Sequence, residues 1–396
     1  MNVSGGETPP PTPPRFALRH GTRTGAVPAR LVAAVLAVLL VFSGCRTFAP
    51  PDPARIAPLL PRLGDLLLVG FHGTGGEDNA ELERLLCRTR VGSVALFGRN
   101  VVDAAQVRQL TRWMSERARA CAGRPPLIAV DAEGGRVMRL DAAAGYTATL
   151  SHRDLGDSGD LTTTELEALR IGGRLREAGI VWNLAPVVDV GANPANAVIV
   201  GAGRSFSADP ARVTAHARAY LAGMRAAGLL ATLKHFPGHG SSFADSHRGF
   251  VDVTDTARLD VELQPYRTLL AEGVVDGVMT AHVFNRRLDC RYPATLSRST
   301  ITGLLRGELG WNGLVVSDDL RMAAIEQHYG LDEAAVLALG AGVDVLVVAD
   351  DRLPGAHSAA HVAVTAIRHA LARGRLAPQT VEAALTRIDA LRARLR

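Results

Sequence analysis

One lysine, 5% aromatic residues and four cysteines in 396 residues are the scarcities of this chain, and no purely apolar run exceeds twelve residues. Each scarcity excludes a class. Without a run of about 20 apolar residues, a polytopic membrane protein is ruled out. Four cysteines are too few for a disulfide-built scaffold, and no Cys/His spacing typical of zinc is present. No Gly-x-Gly-x-x-Gly element follows the first apolar run, so a dinucleotide-binding fold has no support. The pI is 9.4, yet Arg15, Arg19, Arg23 and Arg30 against Glu7 place +3 of the formal +5 in residues 1–44. The remainder carries no basic run, which argues against a nucleic-acid partner. With 47% hydrophobic and 21% charged residues, 40 glycines and 21 prolines, the composition is globular rather than disordered or collagen-like.

Residues 1–30 are Pro-rich and basic, and the apolar run 31–42 ends in Ser43-Gly44-Cys45. A positive region, a short apolar region and small residues before a cleavage point read as a secretory signal. The run is too short to span a bilayer. Cys45 directly after Gly44 resembles a bacterial lipoprotein box, which implies cleavage before Cys45, its diacylation, and anchoring on the outer side of the membrane. The expected organisation is a leader over 1–44, a Pro-rich tether over 45–61 and one domain over 62–396. Export places Cys87, Cys121 and Cys290 in an oxidising compartment. Three single pairings are open. Cys87 and Cys121 each end a predicted helix, which favours that pair and leaves Cys290 free; three buried thiols are the alternative.

From residue 62 onward, eight short apolar runs (66–71, 93–97, 127–130, 181–184, 229–233, 277–280, 314–316 and 343–348) alternate with amphipathic segments. Helices are expected over 104–120, 164–178, 210–227, 259–272, 299–309, 356–372 and 379–395. An eightfold β-α alternation predicts the α/β class and a closed (β/α)8 barrel. Polar residues collect where the runs end: Asp131, Asn183, Lys234-His235, His282, Asp318 and Asp350-Asp351. In such a barrel those ends meet on one face, where the chemistry is placed.

Of 44 basic residues only Lys234 is a lysine. A lysine kept where arginine is otherwise used throughout suits a place that a planar guanidinium cannot serve, because an ammonium is compact and its donors rotate. It opens Lys234-His235-Phe236-Pro237-Gly238-His239-Gly240, followed by Asp245-Ser246-His247. The glycines leave this loop free to move. Asp245 stands two residues from His247, close enough to orient the imidazole and raise its basicity above the ordinary value of about 6.5, the tuning that suits proton transfer near neutral pH.

Six elements together resemble the single-domain β-N-acetylglucosaminidases of glycoside hydrolase family 3. They are Asp131-Ala-Glu-Gly-Gly-Arg-Val-Met-Arg139, Asn183-Leu-Ala-Pro-Val-Val-Asp189-Val, Gly203-Arg204-Ser-Phe-Ser, the run from Lys234 to Gly240, Asp245-Ser-His247, and Ser317-Asp318-Asp319-Leu-Arg-Met322. They occur in the family's order across residues 64–350. The resemblance implies a (β/α)8 barrel, no cofactor and no metal, with Asp318 as nucleophile, His247 as general acid/base and Asp245 as its partner. It also implies that Asp131, Arg139, Arg204, Lys234 and His235 hydrogen-bond the sugar hydroxyls and acetamido group. A retaining mechanism through a covalent glycosyl-enzyme follows, with an imidazole in place of the usual second carboxylate. With export, the implied substrates are peptidoglycan-derived GlcNAc-MurNAc fragments.

Asp319 is the rival nucleophile, set aside as a carboxylate at a helix N-terminus. His282 is expected to brace Asp318, Asn183 and Asp189 to support the site, and Glu133 to make a structural hydrogen bond beside Gly134-Gly135. Trp113, Trp182 and Trp311 could stack on sugar but read more simply as anchors. Three other functions remain open. Phosphorolysis is one, since a neutral imidazole repels phosphate less than a carboxylate would. A metal-dependent barrel hydrolase could use Lys234, His235, His282 and Asp318, though only His72 follows the first run. A non-catalytic cell-wall-binding lipoprotein is the third.

Overall fold

The apolar runs become strands because they are buried on both faces, as strands of a parallel barrel must be. A computed structural model describes residues 52–395; the leader, Cys45 and residues up to 51 lie outside them. The strands are β1 (Leu67–Gly70), β2 (Ser93–Leu96), β3 (Leu127–Val130), β4 (Trp182–Asn183), β5 (Leu230–Phe236), β6 (Gly277–Thr280), β7 (Leu314–Asp319) and β8 (Val345–Val348). Each pairs in parallel with its chain neighbour, and β8 pairs with β1 in the register Leu67 to Leu346, which closes the barrel.

Two strands are irregular where the chemistry was expected. The β5–β6 register shifts between Leu233 and Phe236, and the β7–β8 register shifts between Val316 and Asp319. A shift of this kind re-aims side chains that regular alternation would send to opposite faces. It acts on Lys234-His235 and on Ser317-Asp318.

The surrounding helices are α1 (Ala104–Ala122), α2 (Leu161–Glu177), α3 (Pro210–Ala226), α4 (Gln264–Ala271), α5 (Ala323–Ala341), α6 (Ala359–Ala372) and α7 (Pro378–Ala393). Local chemistry starts them. The Asp103 side chain accepts from the N–H groups of Ala105 and Gln106, and Asp209 accepts from Ala211 ahead of Pro210 at the first helical position. The segment expected as one helix over 259–272 is two, Leu259–Glu262 and α4, which meet at Leu263 just before Pro265. Helix α5 was not anticipated. It is interrupted at Gly330, and its second half is apolar on nearly every side, so it has no amphipathic period to read.

Residues 53–61, expected as the end of the tether, belong to the folded body. Pro53–Ile56 forms a helical turn, Arg55 pairs with Glu382 of α7 at 3.4 Å, and Leu59 is buried. Cys87 is joined to Cys121 across 34 residues, tying the helical segment before β2 to the end of α1, and Cys290 is free and exposed.

Candidate active site

At the carboxyl ends of the strands, a cavity of about 350 Å³ is lined by Asp131, Glu133, Arg139, Arg204, Lys234, His235, His247, Asp318 and Asp319, with Phe97, Met279 and Met322 among its apolar neighbours. The residues expected to hold sugar therefore share one space. Asp245 stands behind it and contacts His247.

Lys234, from β5, is at the centre of the charge. Its Nζ donates to Asp131 Oδ1 at 2.8 Å and lies 2.7 Å from Glu133 Oε1. Glu133 also accepts a forked pair from Arg204, at 2.8 Å from Nε and 2.7 Å from Nη2. Burial would push the Glu133 carboxyl up, but Arg204 and Lys234 outweigh it and hold it well below the carboxylate range. Burial likewise disfavours the charged Lys234, and Asp131 and Glu133 more than compensate, so the ammonium persists. Arg139 approaches the other Asp131 oxygen at 3.6 Å.

Glu133 exceeds the role expected of it. It lines the cavity and carries two ion pairs, and the glycine turn beside it serves close approach: Gly134 has φ +102°, and a Cβ there would strike the Leu150 carbonyl oxygen. The signal available in the sequence was its position two residues from Asp131, a spacing that puts both side chains on one side of an extended segment.

His235 is oriented from behind. Its Nδ1 lies 2.7 Å from Asp189 Oδ2, so Nε2 faces the cavity, 3.3 Å from Arg204 Nη2. Asp189 thus has the supporting role expected of it, as does Asn183, which exchanges two hydrogen bonds with the Ala132 backbone. Trp182 is fully buried and donates to Thr232 Oγ1, so it is a core anchor. Trp113 lines a separate surface groove with Gly76 and Gln106, and Trp311 packs into the core.

The adjacent aspartates have opposite surroundings. Desolvation would raise Asp318, but the imidazoles of His282, His235 and His247 and the Asp319 N–H lower it further, to about 2. Asp319 is pushed up to about 6 by burial and by the neighbouring Asp318, against hydrogen bonds from the N–H groups of Ala349 and Arg321. Asp319 is not at a helix N-terminus as expected, since α5 begins only at Ala323. It ends β7, and its Oδ1 ties the strand to Ala349 at 3.0 Å. His282 is buried, with Nδ1 at 2.8 Å from Thr295 Oγ1 and Nε2 donating to the Asp319 carbonyl oxygen at 2.8 Å. It braces the backbone at Asp319.

On the loop after β5, His247 Nδ1 lies 2.8 Å from Asp245 Oδ1, and the same oxygen accepts the His247 N–H at 2.9 Å. The pairing holds Nδ1 and leaves Nε2 for a proton donor or acceptor role. Among the described residues, no three His, Cys, Asp or Glu side chains gather into a metal-holding cluster. Both His282 nitrogens are occupied, and Lys234 is held by carboxylates. The chemistry available is that of an ionised carboxylate and a carboxylate-oriented imidazole lining one cavity, ringed by charged hydrogen-bonding groups.

Residues 59–391 match the sequence pattern described as Glycosyl hydrolase family 3 N terminal domain. The chain is 37% identical over 285 residues to Beta-hexosaminidase A of Pseudoalteromonas piscicida, covering 68% of this chain but 47% of that protein. It is 36% identical over 354 residues to Beta-hexosaminidase LpqI of Mycobacterium tuberculosis, covering 86% of this chain and 85% of that one. A glycoside hydrolase family 3 β-N-acetylglucosaminidase from a Paenibacillus superposes with a TM-score of 0.79 at 38% identity, covering 85% of this chain and 62% of that structure. The chain thus spans about half to five-sixths of the length of these relatives.

Proposed function

The chain belongs to glycosyl hydrolase family 3, and from that premise we propose that it is a retaining, exo-acting β-N-acetylglucosaminidase. The observation that carries this reading is that Asp318 and His247 line the same cavity, one held ionised and the other oriented by Asp245. A volume of about 350 Å³ is at the small end for ligand clefts and suits a single terminal sugar.

In this mechanism His247 donates a proton to the glycosidic oxygen as the bond from the anomeric carbon breaks. Asp318, ionised throughout the working pH range, attacks that carbon and forms the covalent glycosyl-enzyme. The aglycone leaves, water enters, His247 takes a proton from it, and the new hydroxyl displaces Asp318 with overall retention. Asp131, Arg139, Arg204, Lys234 and His235 supply charged donors and acceptors for the hydroxyls and the acetamido group. The relatives' names favour hydrolysis over phosphorolysis and hexosaminides over other glycosides. In this reading residues 1–44 are a cleaved lipoprotein-type leader, Cys45 anchors the enzyme on the outer face of the membrane, and peptidoglycan-derived GlcNAc-MurNAc fragments are its substrates there.

The test uses residues 46–396 with a chromogenic β-N-acetylglucosaminide and with GlcNAc-MurNAc, with and without phosphate, alongside Asp318→Ala and His247→Ala. Expected are turnover by the wild type, none by Asp318→Ala, slowed turnover by His247→Ala, and no sugar phosphate. Wild-type rates in Asp318→Ala, or an inert wild type, would overturn the reading.

A further inference from the structure

His239 is a buried histidine that the proposed reaction does not use, and its surroundings tie together three parts of the site. Its Nδ1 lies 2.7 Å from Ser242 Oγ and its Nε2 lies 3.1 Å from Ser246 Oγ. A neutral imidazole has one N–H and one lone pair, and two hydroxyls, each able to donate or accept, satisfy both. Its backbone N–H donates to Asp189 Oδ1 at 2.8 Å, and Asp189 is the carboxylate whose other oxygen holds the sugar-facing His235.

The loop is held unevenly. Its inner end is fixed many times over. Asn196 Nδ2 donates to the His239 carbonyl and Ser242 Oγ, Asn193 Nδ2 to the Ser242 carbonyl, and the buried Glu262 accepts from Ser241. Gly240 crosses Val190 so closely that a Cβ would strike its carbonyl oxygen. The outer end has few such ties. Phe243 and His247 are well exposed, and Ser246, between Asp245 and His247, is held by the His239 ring and by the Ala324 N–H on its carbonyl at 3.2 Å.

From this geometry we infer that His239 is a positioning residue, a latch that bridges Ser242 and Ser246 so that the Asp245–His247 pair is presented to the cavity. The Asp189 bond places that latch in register with the His235 that faces the sugar. The inference rests on His247 being the acid/base of the proposed reaction, and it deepens that reading.

A dinitrophenyl β-N-acetylglucosaminide forms the covalent intermediate without needing a proton donor, whereas an alkyl β-N-acetylglucosaminide needs His247. For His239→Ala, the rate of the initial dinitrophenol burst is expected within about twofold of wild type. Steady-state turnover of the alkyl glycoside should fall about 10- to 100-fold, the scale of a misplacement of about 1 Å, with KM unchanged. The double variant His239→Ala/His247→Ala should be no slower than His247→Ala, because the latch acts only through that imidazole. A burst that slows as much as the turnover, or losses that multiply in the double variant, would overturn the latch and leave His239 as a core residue. Should His239→Ala fail to fold, Ser246→Ala removes the outer contact alone and is held to the same outcomes; alkyl turnover at the wild-type rate in that variant also overturns the inference. A wild type inert to both glycosides overturns the proposed activity and the latch together, whereas an active wild type matched by its variants overturns the latch alone.

Discussion

Replacing Lys234 by methionine and by arginine separates charge from shape at the centre of the cavity. The ammonium is 2.8 Å from Asp131 Oδ1 and 2.7 Å from Glu133 Oε1, and its side chain is 3% exposed. At an effective dielectric of about 20, each contact corresponds to roughly 6 kcal/mol of attraction before desolvation is counted. Desolvating the ammonium offsets much of this, and removing one member of a buried pair costs about 3–5 kcal/mol. Methionine keeps the stem but takes one cation away from each carboxylate. Glu133 retains Arg204 while Asp131 retains only Arg139 at 3.6 Å. The lower end of that range follows, a fall in melting temperature of roughly 5 °C. Arginine preserves the charge but must fit a longer, planar group where Arg204 already occupies the flank, an overpacking cost of about 1–3 kcal/mol. The methionine variant loses a charged donor to the sugar and the arginine variant displaces it, which corresponds to about a 10- to 150-fold loss in kcat/KM. Steady-state kinetics on a chromogenic β-N-acetylglucosaminide and a thermal melt measure the two effects. An arginine variant with wild-type kcat/KM and melting temperature would refute the idea that compactness is what retained this lysine.

Asp319 should make stability depend on pH in a window that its amide removes. With its carboxyl raised to about 6 in the fold against 3.8 for the free group, the folded state holds a proton that the unfolded state has lost. Its contribution is therefore greatest below about pH 4 and declines as pH rises to about 6. Asn keeps the acceptor for Ala349 and Arg321, so the melting temperature of Asp319→Asn should gain on wild type between about pH 4 and pH 7; a constant difference would show that the group does not titrate there. Reducing the Cys87–Cys121 bridge, or replacing both cysteines by serine, reopens a loop of 34 residues and should cost about 3–4 kcal/mol in denaturant unfolding, with kcat/KM unchanged. Dialysis against EDTA should leave turnover intact; a loss restored by added zinc would favour the metal-dependent reading.

Much of the site was legible because it is built at strand ends, and strand ends are a local feature. Apolar runs of three to six residues give the barrel its eight strands, and the polar residues just after them meet on one face because all eight strands run parallel. Lys234 was visible through composition. Glu133 makes the structural hydrogen bonds expected of it, but their ionic partners could not be read locally, since Arg204 and Lys234 lie 71 and 101 positions away and nothing nearby marks a glutamate as ion-paired. Helix α5 escaped notice since Gly330 interrupts it and its second half is apolar on nearly every side, so no amphipathic period runs through it. The folded boundary near Pro53 depends on α7, which returns to meet it from the other end of the chain.

What the sequence determined by itself was therefore the barrel, its mouth and the residue types gathered there, because hydrophobic periodicity and strand-end placement act over a few residues. What only the tertiary structure decided was how adjacent residues divide their roles. Asp318 and Asp319 are chemically identical neighbours, and no local rule separates them. Three imidazoles drawn from β5, its following loop and the end of β6 surround Asp318 and hold it ionised. Asp319 is turned toward backbone N–H groups, and burial raises its carboxyl to about 6. A register shift in β7 makes that division possible, and such a shift exists only once β7 and β8 have paired.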